Sequence, residues 1–491
     1  LLERYFGFAA RGTTFARDSM AGATTFVVMS YIIFVNPLIL SGVKPVQGAA
    51  LPFAAVLTST CLVAGVMSIL MGLSTNYAYA IAPGMGLNAV VAYGLVASGK
   101  ASFPEAMGLV VLEGAAMVLL AVSGLRELIF KAIPLELKKA IAIGIGLFIA
   151  FIGLYNSGII ASDPSSGTPV QLGSFTTWPI FVAIFGLAFT FVLRAIRFRG
   201  DLLVGIVGTT VVATIINKAT DYAAFGADGS KGAVWPGWHN LYAKPDFSLL
   251  GNVSLHSFSA GQLGVIASLV WVFSLFLSDF FDFSGTAIGV GKQAGYVDQD
   301  GNIPKFKKAL VVDGLAAAAG GAASASSATT FIESGSGVGA GGRTGWVAVV
   351  AGLLFFPFMF ISPLIGMVPA QATAAALVVV GWLMISTLTE YEGEAEGQSA
   401  GSSVISKLAG IDFHDLAIGL SAALAIMIMP FTYSITNGIG FGFITYTLIC
   451  AARREWKRIH PFMWVVSAAF LLYFLVPLLQ QHVSWFGGHG V

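Results

Sequence analysis

The sequence predicts an all-α polytopic membrane protein with 14 transmembrane segments arranged as two inverted seven-span repeats. Of the 491 residues, 56% are hydrophobic and 10% are charged, whereas soluble globular chains carry about 25% charged residues. At roughly 20 residues per spanning helix, a chain of this length has room for about 14 spans and their loops. The composition excludes a water-soluble enzyme, and a net charge of +1 leaves no basic field for nucleic acid.

The apolar segments fall into two sets of equal number. Seven precede a polar gap at 217–260 and seven follow it. The predicted segments are 18–40, 50–72, 75–97, 103–124, 138–155, 177–193 and 200–216, then 261–290, 308–323, 326–340, 343–366, 369–388, 413–433 and 435–452. Because a repeat with an odd number of spans must insert its second copy in the opposite direction, this pattern predicts inverted repeats.

Four regions follow from this division. They are a first repeat at 1–216, an extracellular linker at 217–260, a second repeat at 261–452, and a C-terminal region at 453–491 with a basic patch and an extra apolar helix. The last apolar run, 462–480, is either a fifteenth span or a helix packed along the membrane interface.

The basic residues orient the chain in the membrane. With a cytoplasmic N-terminus, 20 of the 25 Lys and Arg residues lie inside and 5 outside, in agreement with the positive-inside rule. The first apolar run follows Arg4, Arg11 and Arg17 without a small-residue cleavage pattern, which indicates a span and not a signal peptide. Four glutamates at 390–396 indicate a solvated cytoplasmic loop.

The third and tenth segments are poor transmembrane helices. The third has Pro83 and two glycines at its middle, and the tenth is rich in Ser, Thr and Gly around Glu333. They occupy equivalent positions in the two repeats, which is typical of a transporter binding site. Irregular backbone at membrane depth survives only where protein or a polar cavity satisfies it.

We therefore predict a short extended piece followed by a half-helix in each of these segments. The extended pieces, about 77–82 and 327–332, would pair at the membrane midplane, and the half-helices would begin near Pro83 and Glu333. Both helix N-termini would then direct free N–H groups at one small volume. Close helix packing through small residues is the alternative, and it explains the glycines but not Pro83 or Glu333.

Acidic residues within apolar segments are the main candidates for function, because ionisable groups are costly there. They are Glu113, Asp279, Asp282, Asp313 and Glu333. Asp279 and Asp282 are spaced i, i+3 and should share one helix face. We expect a structural role for Glu113, bonded to a neighbouring helix, and for Asp313, as a residue near a helix end.

Carboxylates that face one cavity cannot all be ionised without a large cost. Such a site takes up a proton readily, releases it when water returns, and suits a neutral ligand with N–H donors. The absence of Lys or Arg at this depth disfavours an anionic ligand. Two distant cysteines, and six histidines in loops or at span edges, give no pattern for a metal, haem or other cofactor, and none is expected.

Five strings in order along the chain resemble the AzgA-like purine permeases, in the nucleobase-cation-symport-2 group that also contains xanthine and uracil permeases. The strings are Ala21-Gly-Ala-Thr-Thr-Phe-Val-Val-Met-Ser-Tyr-Ile-Ile-Phe-Val-Asn-Pro37, Ala82-Pro-Gly-Met-Gly-Leu-Asn88, Asp279-Phe-Phe-Asp-Phe-Ser-Gly-Thr286, Phe331-Ile-Glu-Ser334 with Gly341-Gly-Arg-Thr-Gly345, and Met429-Pro-Phe-Thr-Tyr-Ser434.

The resemblance implies a core domain, about 18–124 plus 261–366, and a gate domain, about 137–216 plus 369–452, with dimers usual in the group. It implies a multi-pass protein of a plasma membrane, expected to be a bacterial inner membrane. It also implies import of adenine, guanine or hypoxanthine by proton symport, in which the core moves against the gate.

The resemblance further implies a set of site residues. Glu333 would hydrogen-bond the purine and Asp279 would face it, while Asp282 and Asn88 match positions needed for transport. Residues in the same strings complete the expected substrate site: Met85, Phe331 and Ile332. The expected proton-coupling residues are Asp279, Asp282 and Glu333. Phe283 departs from the small or polar residue common in the family, which bears on fine specificity.

Three other functions are weighed against this one. A transporter of the same fold could carry another nucleobase, such as xanthine or uracil. A transporter of inorganic or carboxylate anions would need cationic or neutral residues where Glu333 and Asp279 stand. A membrane prenyltransferase could use Asp279-Phe-Phe-Asp282 to bind Mg²⁺, but the further Asp ligands and basic residues for a diphosphate are absent at this depth.

Overall fold

The computed structural model describes residues 2–124, 132–163, 168–229, 231–259, 263–296, 303–386, 407–408 and 411–482. The predicted Glu-rich loop at 390–396 lies outside the described residues, as do Arg126 and Lys131 of the predicted inner basic set. Each apolar segment predicted from the sequence coincides with a helix or with a broken helix.

Helices of the first half follow the predicted segments closely. They are α1 (Leu2–Phe6), α2 (Phe15–Met29), α3 (Ile32–Gly42), α4 (Phe53–Thr75), α5 (Met85–Ala89) continued by a π-helix (Val90–Ala97), α6 (Phe103–Ser123), α7 (Leu135–Asn156), α8 (Trp178–Ala195) and α9 (Asp201–Ala219).

The second half has the same organisation. Its helices are α10 (Gly264–Ala294), α11 (Phe306–Ala322), α12 (Ser334–Gly339), α13 (Trp346–Phe355), α14 (Ser362–Gly366), α15 (Ala370–Ser386), α16 (Leu416–Phe431), α17 (Ile435–Ala452) and α18 (Pro461–His482). Short 3₁₀ turns lie at Ala9–Arg11, Trp238–Asn240, His256–Phe258, Phe356–Phe360 and Trp456–Arg458.

Strands are short and pair only two by two in the described part of the chain. β1 (Ile81–Pro83) pairs with β4 (Ala328–Thr330), β2 (Ile160–Asp163) with β3 (Thr168–Leu172), and β5 (Lys407–Leu408) with β6 (Ile411–Asp412). All three pairs are antiparallel.

The helices are long and apolar enough for a multi-pass membrane protein. Among the described residues, 8 helical stretches meet the length and hydropathy expected of a span, with α2 and α3 counted as one kinked stretch. Five shorter apolar helices add to them: Met85–Ala97, Trp346–Phe360, Ala370–Ser386, Leu416–Phe431 and Pro461–Leu475. The count of 14 spans and the inverted symmetry stay predictions.

The pairing of β1 with β4 confirms that the third and tenth segments are extended and meet each other. Ile81 lies opposite Thr330, and Pro83 lies opposite Ala328. The Gly84 N–H donates to the Ser327 carbonyl at 2.8 Å, and the Phe331 N–H donates to the Ala80 carbonyl at 2.9 Å. Backbone groups that would be unpaired in an apolar bundle are thus satisfied across the pair.

The first half-helix begins later than predicted. Pro83 is the last residue of β1 and not the first residue of a helix, because Gly84 is still extended (φ −72°, ψ 123°) and still donates to Ser327. The helix therefore begins at Met85. In the tenth segment Glu333 is the N-cap, and the helix begins at Ser334.

Small residues also allow close helix contacts, as the alternative interpretation of these segments proposed. A Cβ atom placed on Gly337 would lie 2.1 Å from Thr25 Oγ1. Helices α6 and α11 approach in the same way at Gly114, where a Cβ atom would lie 2.3 Å from the Ala318 backbone nitrogen. Strand pairing and small-residue packing thus operate together.

The two ends of the bundle are closed by different contacts. At one end the 217–260 linker donates backbone hydrogen bonds to the carbonyls of Pro104, Ala322 and Phe360. At the other end the buried Asp18 carboxylate accepts from the backbone N–H groups of Arg343 and Thr344.

Replacement of Gly114 by alanine should destabilise the protein strongly. The added Cβ atom would meet the backbone of α11, which cannot turn aside as a side chain can, and overpacking of this kind costs about 1–3 kcal/mol or more. Thermal unfolding in detergent measures the effect. Gly285→Ala is the matched control, because a Cβ atom there meets nothing within 4 Å. Equal melting temperatures for the two variants would contradict this packing.

Candidate functional site

One cavity lies where both broken segments meet the rest of the bundle. It holds about 540 Å³, including space that opens to solvent. One wall comes from α10, from the two broken segments and from the connection between α2 and α3: Tyr31, Gly84, Met85, Gly86, Leu87, Ser278, Asp282, Thr330, Phe331, Ile332 and Glu333. The opposite wall comes from α7, α15 and α17: Ile145, Val380, Met384 and Ile435.

Glu333 lies at the break of the tenth segment, and its carboxyl group borders the cavity. The residue is 8% exposed, and its Oε1 accepts a hydrogen bond of 2.7 Å from the Tyr31 hydroxyl. The Tyr31 ring is buried and lies 6.3 Å from the Phe331 ring, centroid to centroid. Tyr31 therefore positions Glu333, although sequence reasoning did not select it.

The two aspartates of α10 do not share one environment. Asp282 lines the cavity, as does Ser278, whereas Asp279 is completely buried outside it. A separation of three residues turns a helix by about 300°, which leaves the two side chains about 60° apart. Because the edge of the cavity falls between them, the Asp282 carboxyl group lies in the cavity and that of Asp279 lies behind its wall. The prediction that both would share one helix face did not anticipate this separation.

Asp279 belongs instead to a group of buried acids around β4. Its carboxyl group faces that of Glu113 within hydrogen-bond reach, and Asp313 lies close to both. The Ser327 hydroxyl donates to Glu113 Oε2 at 2.9 Å. Glu113 is therefore bonded to the broken tenth segment and also interacts with the neighbouring helix α10.

The interpretation of Asp313 as a helix-end residue is wrong. It lies in the middle of α11 and is completely buried. Its Oδ1 accepts from the Thr330 backbone N–H and the Thr330 hydroxyl, both at 2.8 Å, and its Oδ2 accepts from the Thr329 hydroxyl at 3.2 Å. Asp313 thus takes the hydrogen bonds that β4 directs away from β1.

The other predicted site residues divide in the same way. Met85, Phe331 and Ile332 line the cavity. Asn88 does not, although it follows the cavity residue Leu87 by one position. Its amide is buried, and neither the nitrogen nor the oxygen finds a hydrogen-bond partner among the described residues.

The cavity is chemically asymmetric. The wall with the broken segments contains two residues with carboxyl groups and three with hydroxyl groups, whereas the opposite wall is formed by apolar side chains. The five polar residues are Asp282, Glu333, Tyr31, Ser278 and Thr330. Neither Lys nor Arg is among the described residues that line it. The described residues also contain no group of three or more His, Cys, Asp or Glu side chains placed to hold a metal ion. The arrangement suits a neutral, partly apolar ligand that donates hydrogen bonds.

Residues 17–394 match the model of the Permease family designated Xan_ur_permease. The chain belongs to this family. The permease is 36% identical to the adenine permease AdeP of Escherichia coli, over 96% of this chain and 95% of the relative. It is also 36% identical to the guanine/hypoxanthine permease PbuG of Bacillus subtilis, over 96% of this chain and 99% of the relative.

The fold of the permease is also that of a solved membrane transporter. The transmembrane domain of a cyanobacterial bicarbonate transporter, BicA, superposes with a TM-score of 0.56, covering 87% of this chain and 96% of that domain at 15% identity. With the family and the named relatives, this shows a multi-pass membrane transporter and not an enzyme.

Proposed function

We propose that the permease imports purine nucleobases across the plasma membrane together with protons, with its N-terminus in the cytoplasm. The observation that carries this proposal is the cavity, in which an acid-bearing wall faces an apolar wall. Relatives named as adenine and guanine/hypoxanthine permeases, at 36% identity over nearly the full length, support the choice of substrate.

A purine matches the two walls of the cavity. Its edges carry N–H groups that can donate hydrogen bonds to the Glu333 carboxylate, and its ring faces are flat and apolar. Phe331, Ile332 and Met85 offer apolar surface beside Glu333, and Ile145 and Ile435 offer it from the opposite wall. In this proposal Asp279 and Asn88 act from behind the wall, because neither lines the cavity.

Protons would be carried by acids at the same depth. Asp282 and Glu333 border the cavity and Asp279 is next to it, so their charges change the electrostatics of the ligand site directly. Two carboxylates in one small cavity repel each other, which favours uptake of a proton when the cavity closes. Asp279, Asp282 and Glu333 remain the proposed coupling residues.

The moving parts would be a core at about 18–124 plus 261–366 and a gate at about 137–216 plus 369–452. The cavity supports this division, since one wall belongs to the proposed core and the other to the proposed gate. Within the core α4 packs on α13 and α6 on α11, and within the gate α7 packs on α15.

These contacts also support 14 spans in two inverted repeats. The α4–α13 contact joins spans 2 and 11, and the α6–α11 contact joins spans 4 and 9, so an exchange of the two repeats converts one contact into the other. The same exchange leaves two contacts unchanged, because each joins equivalent spans of the two repeats. These are the β1–β4 pair (spans 3 and 10) and the α7–α15 contact (spans 5 and 12).

The C-terminal helix α18 and the outer helices bear on the remaining proposals. α18 packs antiparallel along α17, where Ser467 contacts Thr447 and Phe470 contacts Phe443, which favours a fifteenth span over an interface helix.

Helices α8 and α9 lie at the outside of the bundle. Only 33% of the apolar stretch of α8 and 39% of that of α9 are buried. Such surfaces suit lipid or a second copy, and we propose a homodimer.

A small anion is the alternative ligand for this fold, because BicA is a bicarbonate transporter. An anion would meet Asp282 and Glu333 in this cavity without a Lys or Arg among the described lining residues. This charge distribution favours the neutral nucleobase. Xanthine or uracil in place of adenine, guanine or hypoxanthine remains a second alternative, to be separated by competition against labelled adenine.

Glu333→Ala should abolish uptake while the protein still reaches the membrane. Loss of a buried hydrogen bond to a charged group costs about 1.5–3 kcal/mol, roughly 10- to 150-fold in affinity. Binding of labelled adenine and hypoxanthine to purified protein measures this loss. Asp246→Ala, which changes a carboxylate in the linker, is the control and should bind normally. Unchanged purine affinity in Glu333→Ala would remove this residue from the site.

A disulfide between core and gate should block transport reversibly. A Cβ atom on Gly86 would lie 2.8 Å from Ile145 Cγ2, so the pair Gly86→Cys with Ile145→Cys can approach the Cβ–Cβ distance of about 3.5–4.5 Å found in disulfides. Oxidation should stop purine uptake, and reduction should restore it.

The matched control for this cross-link lies within the gate. A Cβ atom on Gly442 would lie 3.0 Å from Ala425 Cβ and would meet no backbone atom closer than 3.3 Å, so Gly442→Cys with Ala425→Cys joins α17 to α16. Oxidation of this pair should leave uptake intact. If the pair within the gate stopped transport and the pair between core and gate did not, the proposed division would be wrong.

A further inference from the structure

Three carboxyl groups around β4 are not explained by a ligand in the cavity. Glu113 on α6, Asp279 on α10 and Asp313 on α11 are each 0% exposed, and none lines the cavity. Glu113 and Asp279 lie within hydrogen-bond reach of each other, and Asp313 is near enough for its charge to act on both of them. Asp282 is the further acid that faces Asp279.

The hydrogen-bond donors around these acids are too few for three carboxylates. The Thr330 N–H and hydroxyl and the Thr329 hydroxyl all donate to Asp313, and the Ser327 hydroxyl donates to Glu113 Oε2. The Thr329 hydroxyl also faces Asp279, but its hydrogen bond goes to Asp313. In the part of the chain that the structure describes, Glu113 Oε1 and both oxygens of Asp279 are left without a donor.

Among the described residues, no cation forms an ion pair with Glu113, Asp279 or Asp313. Arg194 pairs with Asp201, and Arg453 and Arg458 pair with Asp415 and Glu455. Two carboxylates in contact and away from water would carry both a desolvation penalty and mutual repulsion. A proton between them removes the repulsion and supplies the missing donor.

We propose that Glu113 and Asp279 form a proton-holding pair, separate from the ligand cavity, and that Glu113 is a coupling residue of this transporter. The inference rests on the proposed function and extends it to a residue outside the cavity. Asp313 would hold β4 in place while the charge of the pair changes.

Two connections join this pair to the ligand. Ser327, which donates to Glu113, immediately precedes β4, and β4 leads into the cavity residues Thr330 and Phe331. Asp279 follows the cavity residue Ser278 on α10. When the proton leaves, a second negative charge appears in this dry space, so water must enter or β4 and α10 must separate. Proton release is thereby tied to opening of the cavity wall.

The test uses Glu113→Gln, which mimics the protonated side chain, in vesicles that contain the purified protein. The variant should exchange labelled adenine for unlabelled adenine within about twofold of the wild-type rate, because exchange can proceed without proton release. It should fail to accumulate adenine under an imposed pH gradient. For one proton per purine, the wild-type limit is about tenfold accumulation per pH unit.

Glu105→Gln is the matched control on the same helix. Glu105 is a buried capping-box acid that accepts from Ser102, and glutamine serves in this position as well. This variant should both exchange and accumulate. Accumulation by Glu113→Gln equal to that of wild type would overturn the proposal, and so would loss of exchange together with accumulation in a folded Glu113→Gln protein.

A second variant covers the case in which Glu113→Gln does not fold. Ser327→Ala removes the donor to Glu113 Oε2, so the pair should hold its proton more tightly and the curve of uptake against pH should move to higher pH. An unmoved curve would contradict the proposal, since a purely structural role would change the amount of folded protein and not this curve.

An infrared measurement separates this inference from the proposed function. The carbonyl stretch of a protonated carboxyl group should be present in the wild-type protein at neutral pH without purine and should be reduced in Glu113→Gln. If the band were present and no purine were transported, the proposed function would fail and the proton-holding pair would stand. Absence of the band would reject the pair whatever the substrate.

Discussion

The pairing of β1 with β4 is the interaction on which the rest of the structure depends. Backbone polar groups inside an apolar bundle must find partners, and here two broken segments supply them to each other across three residue pairs. The pair determines where α5 and α12 begin, and it brings Gly84 and Glu333 to one cavity. Without it, neither break could persist at this depth.

The same strand pair separates two kinds of acid. Asp282 and Glu333 border the cavity, whereas Glu113, Asp279 and Asp313 are buried outside it around β4. The hydroxyl groups of Ser327, just before β4, and of Thr330, in β4, donate hydrogen bonds to the buried acids and not to a group in the cavity. Charge in the ligand site and charge behind it therefore act on one short segment, which offers a physical route between proton and ligand.

The sequence was sufficient for the helical class, the broken segments and most of the cavity wall. Pro83 and Glu333 marked the breaks because neither suits an uninterrupted spanning helix. The different environments of Asp279 and Asp282 could not be predicted, because a spacing of three residues does not say where a cavity edge falls. Tyr31 was missed because its partner Glu333 lies 302 residues further along the chain, and only the fold brings the two together. The role of Asp313 was missed because the sequence of one helix does not show that its side chain accepts hydrogen bonds from a strand.

The central claim is that this asymmetric cavity carries a neutral purine driven by protons. The most direct measurement is uptake of labelled adenine, hypoxanthine and bicarbonate into vesicles of purified protein, under either an imposed pH gradient or an imposed sodium gradient. The account predicts that purine accumulates with the pH gradient, that this stops when a protonophore is added, and that sodium has no effect. Accumulation of bicarbonate, or purine uptake that follows sodium and ignores pH, would contradict it.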